Sequence, residues 1–189
     1  MTRDRDDGES AERQFTRFFE RHYDDVRRYA LRRLGPDHAD DVAAETFGVA
    51  WRRFDHLPKD QPLPWLYGVA RNVVRARSRS GGRRAEVPTP FGEASAAASA
   101  EPDTASRVEE RDEALRALGR LSDKDRELVM LLAWEGLELA EAARVLGCTT
   151  ATARVRLFRA RRRIEGLLDP PPPAPAHSPA APRVPVEKS

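Results

Sequence analysis

The amino-acid sequence divides into two blocks with helical spacing of apolar residues, separated by a segment that is a poor core-former. The separating sequence SGGRRAEVPTPFGEASAAASAEPDTA is rich in Gly, Pro, Ser and Ala and nearly empty of large apolar residues. Because such a segment buries too little surface to offset its ordering entropy, we predict a flexible linker over residues 81–105. No stretch alternates apolar and polar residues as a strand does. The sequence therefore predicts an all-α protein of two small helical domains.

The first block, residues 12–80, begins with two predicted helices. The apolar face of the first recurs at steps of three and four residues: Phe15, Phe18, Phe19, His22, Val26 and Tyr29. The second follows the Gly35-Pro36 break, and Asp37 is its expected N-cap. Its apolar positions are Val42, Phe47, Ala50, Trp51 and Phe54.

A loop and a third helix complete the first block. Because three prolines between Asp55 and Pro64 cannot sit inside a helix, we predict a loop over residues 55–64. The third helix is expected to start after Pro64, with Trp65, Leu66, Val69 and Val73 on its apolar face.

The second block, residues 106–168, predicts a helix-turn-helix. Ser122 is the expected N-cap of one helix, and Glu138 to Leu146 forms a short helix that ends at a turn supplied by Gly147. Thr149 can then cap a final helix. Seven arginines and no acidic residue lie between Arg144 and Arg163. We assign the apolar contacts of the final helix to Val155, Leu157, Phe158 and Ile164.

Such a basic helix after a tight turn indicates a duplex-DNA reader, because the start of a recognition helix meets base edges while flanking cations contact phosphates. The alternative is a solvated basic helix that attracts any polyanion. The candidates for groove and phosphate contacts are Thr149, Thr150, Thr152, Arg154, Arg156 and Arg159. The trailing Arg161, Arg162 and Arg163 are better suited to phosphates than to bases.

The remaining composition narrows the function classes. A net charge of +2 hides the uneven charge distribution, and the single Cys148 excludes a disulfide framework and a cysteine zinc cluster. No cofactor site, nucleophile–base set or Gly-rich phosphate loop is present, so an enzyme is not expected. With no secretory signal or apolar membrane span, we expect a soluble cytoplasmic protein. Residues 1–11 and the Pro-rich residues 169–189 are predicted to be disordered.

Both blocks together resemble a sigma-70 family sigma factor of the extracytoplasmic-function (ECF) group. The run from Asp40 to Phe47, DDVAAETF, followed by AWRR, resembles the helix that docks on the clamp of core RNA polymerase. The run WLYGVARN from Trp65 resembles the helix that engages the −10 element, and residues 139–164 resemble region 4, which reads the −35 element. Ala44 departs from the pattern, because the family commonly carries Gln there.

The resemblance implies roles for particular residues. Polymerase contacts fall to the set Asp40, Asp41, Glu45, Phe47 and Trp51. The −10 element is expected at Trp65, Tyr67, Arg71, Asn72, Arg75, Arg77 and Arg79. Aromatic stacking combined with cations is how proteins hold single-stranded DNA, although an aromatic residue at the Trp65 position is more often part of a core.

The implied partners are core RNA polymerase, through the β′ clamp and the β flap, promoter DNA and an anti-sigma factor, with no membrane insertion. The implied function is promoter recognition and assistance with DNA melting, without chemistry by the protein itself. A stand-alone helix-turn-helix regulator is the alternative, although such proteins carry a receiver or ligand domain that the all-helical first block does not resemble.

Overall fold

The computed structural model describes residues 3–58, 60–80 and 105–168. These residues form seven α-helices and one short 3-10 helix at Phe54–His56, with no strand among them. The α-helices are α1 (Arg3–Leu34), α2 (Pro36–Arg52), α3 (Pro62–Ser80), α4 (Ala105–Gly119), α5 (Asp123–Ala133), α6 (Leu139–Leu146) and α7 (Thr150–Leu168). The all-α prediction is confirmed, whereas the predicted linker (except Ala105, in α4) and the proline-rich tail lie outside the described residues.

The first unit consists of α1, α2 and α3, which pack against one another around the predicted apolar faces. Val26, Val42 and Leu66, one from each helix, are fully buried and meet at its centre. Because fully burying a side chain of this size contributes about 1.5–3 kcal/mol, the three faces hold the helices together. No helix in the described part of the chain is long and apolar enough to cross a membrane.

Three helix starts differ from the sequence predictions. Helix α1 begins at Arg3 rather than near Glu12, in a stretch with no proline to stop it. The N-cap of α2 is Gly35, so the prediction of Asp37 was wrong. Pro36 occupies the first helical position because its missing N–H needs no partner there, and Asp37 falls within the first turn. For the same reason α3 begins at Pro62 instead of after Pro64.

The second unit consists of α4 to α7, with α5, α6 and α7 packed on one another. Ser122 is the N-cap of α5, as predicted, and its hydroxyl oxygen accepts a hydrogen bond from the backbone N–H of Asp125 at 3.3 Å. That hydroxyl also donates to the Asp125 carboxylate at 2.6 Å. Leu128 and Leu131 of α5 are fully buried in the core that α6 and α7 complete.

The two units are in contact, a feature that the sequence did not predict. Helix α3 packs on α6, and a charge network joins α1 to the α5 region. We use "charge network" for Tyr29, Arg32, Arg33, Glu127 and Glu135. The Arg33 guanidinium donates to both carboxylate oxygens of Glu127, at 3.0 and 3.1 Å, and to Glu135 at 2.9 Å. The side chains of Arg33 and Glu135 are 4% and 1% exposed, so this network is buried.

The ionised forms of this network stabilise each other. Burial alone would disfavour the charge on Arg33, but the two facing carboxylates outweigh it and raise the pKa of the guanidinium. Burial likewise opposes the charge on Glu127, whereas attraction to Arg33 and hydrogen bonds from Arg33 and Tyr29 lower its pKa overall. The Tyr29 hydroxyl donates to Glu127 at 2.9 Å. Arg32 forms an ion pair with Glu135 from the other side.

We expect Gly147→Ala to lower the free energy of unfolding by about 1–2 kcal/mol, because φ of 67° is a left-handed conformation that an L-residue adopts at a cost. Gly68→Ala is the matched control: this glycine lies inside α3, and an added Cβ meets nothing within 4 Å. Alanine there should raise stability by about 0.5–1 kcal/mol. Urea unfolding of both variants checks this, and equal effects at the two positions would contradict it.

A pH dependence of stability should come from His22. Burial against Phe18 lowers its pKa below 6.5, and its Nδ1 atom has no hydrogen-bond partner in the described structure. Because the folded state disfavours protonation, this histidine contributes stability that is fully present above pH 6.5 and is lost as the pH falls through its lowered pKa. Urea unfolding at a series of pH values should show the loss, and His22→Gln should flatten it. An unchanged slope in that variant would contradict the assignment.

Candidate nucleic-acid interface

The turn between α6 and α7 is built by local contacts. The N–H of Gly147 donates to the carbonyl of Arg144 at 3.1 Å, and the N–H of Cys148 donates to that of Ala143 at 3.0 Å. This pair is a Schellman motif, which ends α6 sharply and requires the left-handed Gly147. The hydroxyl of Thr149 then accepts from the N–H of Thr152 at 3.1 Å, so Thr149 caps α7 as predicted.

The buried and exposed faces of α7 consist of different residues from those predicted. Ala153 and Ala160 are buried on the side of α7 that packs on the rest of the second unit, while Leu157 and Ile164 are half-buried. Val155 and Phe158 are 49% and 61% exposed, so the prediction that they contact the domain core was wrong. At 100° per residue these two side chains lie opposite the alanines and face outward from the second unit.

Four of the six residues assigned to duplex contacts are exposed. They are Thr149, Thr152, Arg154 and Arg159, while Thr150 and Arg156 are half-buried. No carboxylate of the described residues forms an ion pair with any of the three arginines in this set. The outward face of α7 is therefore cationic at its edges and apolar along its centre, where the Arg162 guanidinium lies 5.9 Å from the ring centre of Phe158.

Helix α3 presents a second basic surface. Asn72, Arg75 and Arg79 are exposed, whereas Trp65, Arg71 and Arg77 are half-buried. Tyr67 is the exception, because only 2% of it is exposed and its ring stacks on Tyr29 with centroids 5.2 Å apart. Burial raises the pKa of the Tyr67 hydroxyl, with the charge on Glu135 adding to the effect. The expectation that Tyr67 contacts the −10 element therefore needs correction: in this arrangement its ring is not accessible to DNA.

The acidic residues of α2 lie beside this basic surface. Arg77 of α3 donates to Asp41 at 3.1 Å and to Glu45 at 3.3 Å, and both carboxylates are more than half exposed. Asp40 accepts hydrogen bonds from Arg27 and Tyr23, which lower its pKa. Two of the three acids assigned to polymerase, Asp41 and Glu45, are thus partners of Arg77, which was assigned to DNA.

An aromatic cluster lies at the other end of α2. Phe47 is 3% exposed and contacts the ring of Phe19 edge-on at 4.8 Å between centroids. The assignment of Phe47 to polymerase contact is corrected, because its side chain belongs to the core between α1 and α2. Trp51 is 46% exposed and packs one edge against Phe15 at 4.9 Å, so its other surface remains open.

Comparison with known proteins gives this arrangement a family. Residues 18–84 match the model described as Sigma-70 region 2, and residues 111–164 match the model described as Sigma-70, region 4. The ECF RNA polymerase sigma factor EcfG of Rhodopseudomonas palustris is 31% identical over 145 residues, covering 76% of this chain and 78% of that protein. The sigma factor CnrH of Cupriavidus metallidurans is 34% identical over 139 residues, covering 69% of this chain and 73% of that protein.

Two solved structures that align with this chain are also of sigma factors. CnrH in complex with the cytosolic domain of CnrY aligns with a TM-score of 0.59 at 28% identity, covering 83% of this chain and 88% of that one. The sigma factor RpoE of Bartonella quintana, in complex with the anti-sigma factor NepR, aligns with a TM-score of 0.58 at 27% identity. The alignment covers 82% of this chain and 96% of that one. The two units are therefore region 2 and region 4 of a sigma-70 protein. The chain belongs to the ECF sigma factors of that family.

Proposed function

We propose that this protein is a promoter-specificity subunit of bacterial RNA polymerase, which brings the core enzyme to selected promoters and assists DNA melting. The observation that carries the proposal is the presence of two basic reading helices, α3 and α7, on separate units, with acidic residues of α2 next to the first. A regulator that binds duplex DNA alone needs the surface of α7. It needs neither the basic surface of α3 nor the acidic residues of α2.

We assign the −35 element to the outward face of α7. Arg154 can donate two hydrogen bonds to a guanine, and Arg159 can contact a base or a phosphate on the opposite edge of the helix. Between these edges, Val155 and Phe158 offer apolar contact to thymine methyl groups, the apolar groups on the major-groove edge. Thr149, Thr150 and Thr152 at the start of α7, together with Arg156, supply further contacts.

We assign the −10 element to the exposed part of α3. The Asn72 amide can read a base edge, and Arg75 and Arg79 can follow the backbone of an opened strand. Trp65 and Arg71 are half-buried at the margin of this surface. Residues 55–64, predicted as a loop but forming the first turn of α3 from Pro62 onward, are the proposed pocket for an unstacked base.

Core polymerase is proposed to bind α2 through Asp40, Asp41, Glu45 and the open surface of Trp51. The second unit is proposed to contact the β flap, and an anti-sigma factor is a further proposed partner, because the solved relatives include complexes with such factors. The protein acts by binding and performs no chemistry of its own. We place it in the cytoplasm, where core polymerase and promoter DNA are found.

Run-off transcription with bacterial core polymerase on a pool of genomic promoters tests this proposal. Discrete transcripts that require the protein are expected, and the aligned sequences upstream of their starts should contain two elements. If no new transcript arises and the protein binds duplex DNA by itself with a steep salt dependence, the stand-alone regulator replaces this proposal.

A further inference from the structure

Gly68 is a glycine for which neither the backbone nor the packing gives a reason. It lies inside α3, and its φ is not positive, unlike that of Gly147. A Cβ added at Gly68 would meet nothing within 4 Å apart from the backbone of α3, so no close contact with a neighbouring helix requires a glycine here. Glycine nevertheless destabilises the interior of a helix relative to alanine. The fold of the described residues therefore does not explain a glycine at this position.

The open space beside Gly68 lies at the centre of the face of α3 that is assigned to the −10 element. At 100° per residue, Asn72 is about 40° from Gly68 around the helix axis. Arg75 and Arg79 are each about 20° from it, and all three side chains are exposed. Trp65 is half-buried about 60° away, one turn before Gly68. This face therefore carries an aromatic ring, an amide and two cations, with a gap among them.

The opposite face of α3 is committed to the first unit. Arg77 is about 180° from Gly68 and forms ion pairs with Asp41 and Glu45 of α2. Leu66, about 160° from Gly68, is fully buried in the core. The gap at Gly68 therefore points away from that core.

The gap has a suitable size for a nucleobase. Trp65 and Asn72 are seven residues apart, which is about 10 Å along the helix axis. Neither side chain comes within 4 Å of a Cβ added at Gly68. Because stacked bases are about 3.4 Å apart, one base can enter between these two side chains and contact the backbone of Gly68. A side chain at this position would occupy the same space.

We propose that Gly68 forms a notch that accepts an unstacked base of the opened −10 strand. The Asn72 amide reads the edge of this base, while Arg75 and Arg79 hold the neighbouring phosphates. The notch lies about one helical turn beyond the pocket proposed at residues 55–64, so it takes a different base of the same strand. This inference rests on the proposed function, because it takes the opened strand from it.

Substitution of Gly68 in the full chain, bound to core polymerase, tests the notch. The probe is a fluorescent single-stranded oligonucleotide with the −10 sequence of a promoter recovered by run-off transcription, and its affinity is measured by anisotropy. We expect Gly68→Ala to weaken binding about three-fold, because its Cβ crowds the base. Gly68→Leu should weaken binding at least ten-fold, the size of one lost base contact. Alanine stabilises the fold here, so unfolding cannot explain its weaker binding.

Gly166→Ala and Gly166→Leu are the matched controls. Gly166 also lies inside a helix, and a Cβ added there meets nothing within 4 Å, but its helix is α7. Both substitutions should leave the affinity for the −10 oligonucleotide unchanged. If Gly68→Leu binds this oligonucleotide as tightly as wild type does, the notch is overturned.

Oligonucleotides that lack one base at a time identify the base that enters the notch. Removing that base should weaken binding of the wild-type protein about ten-fold. Gly68→Leu should bind this one oligonucleotide as tightly as wild type does, because no base remains to be excluded. If Gly68→Leu is instead weaker than wild type by the same factor at every abasic position, the substitution does not act on a base, and the notch is overturned.

These outcomes differ from a failure of the proposed function. If the wild-type chain transcribes with core polymerase and the Gly68 variants bind the −10 strand equally well, the notch is wrong and the sigma-factor proposal stands. If the wild-type chain gives no transcript with core polymerase, the proposed function is wrong, and this inference falls with it.

Discussion

Arg33→Met should weaken the packing between the two units by about 3–5 kcal/mol, the usual cost of removing one partner from a buried ion pair. Methionine leaves Glu127 and Glu135 in the interface with only Arg32 to balance them. The loss cannot exceed the free energy of inter-unit packing, because separation lets both carboxylates return to water. We therefore expect the units to uncouple rather than unfold.

Scanning calorimetry checks this expectation. The wild-type chain should unfold in one cooperative transition, whereas Arg33→Met should show two, because each unit then melts separately. Arg28→Met, at an exposed ion pair, should stay within about 0.5 kcal/mol of wild type. A single transition at the wild-type temperature in Arg33→Met would show that the buried pair does not couple the units.

A compensated variant strengthens the test. If Glu127 and Glu135 are changed to Leu and Met together with Arg32→Met and Arg33→Met, no unpaired charge of the network remains in the interface, and inter-unit packing should recover. Recovery in this variant would assign the loss in Arg33→Met to the unpaired carboxylates rather than to the missing arginine stem.

Local signals explain which parts of the fold could be predicted from sequence. The turn at Gly147 and the caps at Ser122 and Thr149 depend on residues within about four positions, so residue type and spacing were sufficient. The prediction of the N-cap of α2 was wrong for a local reason too. Asp37 and Pro36 both favour the start of a helix, and Pro36 occupies the first helical position.

Contacts between distant residues could not be predicted in this way. Arg33 and Glu127 are 94 positions apart in the sequence. From its local sequence alone, each would be predicted to be an ordinary charged residue on the surface. No alternation or spacing in either helix indicates that its partner lies in the other block. The burial of Tyr67 follows from the same contact, which is why an aromatic residue expected to face DNA lies in an interface instead.

The faces of α7 show a different limit. Its buried side is formed by Ala153 and Ala160, whose small side chains allow neighbouring helices of the second unit to approach closely. Val155 and Phe158 are more hydrophobic than these two alanines. An assignment based on hydrophobicity alone therefore placed the wrong residues in the core. The exposed pair is explained if the outward face of α7 binds a groove that contains apolar groups.

Arg154→Ala should reduce transcription from the preferred promoter about five- to 150-fold, which corresponds to a loss of about 1–3 kcal/mol for one bidentate base contact. The side chain is exposed on the first half of α7, where a recognition helix meets base edges. The loss should be confined to promoters with the preferred base at one position of the −35 element, because the variant no longer distinguishes bases there.

Arg163→Ala is the matched control, because this arginine is also exposed and lies at the far end of the same helix. If Arg163 contacts a phosphate, its loss should weaken all promoters alike and reduce the salt dependence of binding by about one counterion. Run-off transcription on templates that vary each −35 position, repeated at several salt concentrations, separates the two patterns. Wild-type selectivity in Arg154→Ala would remove this residue from base reading and leave Arg159 as the arginine to test next.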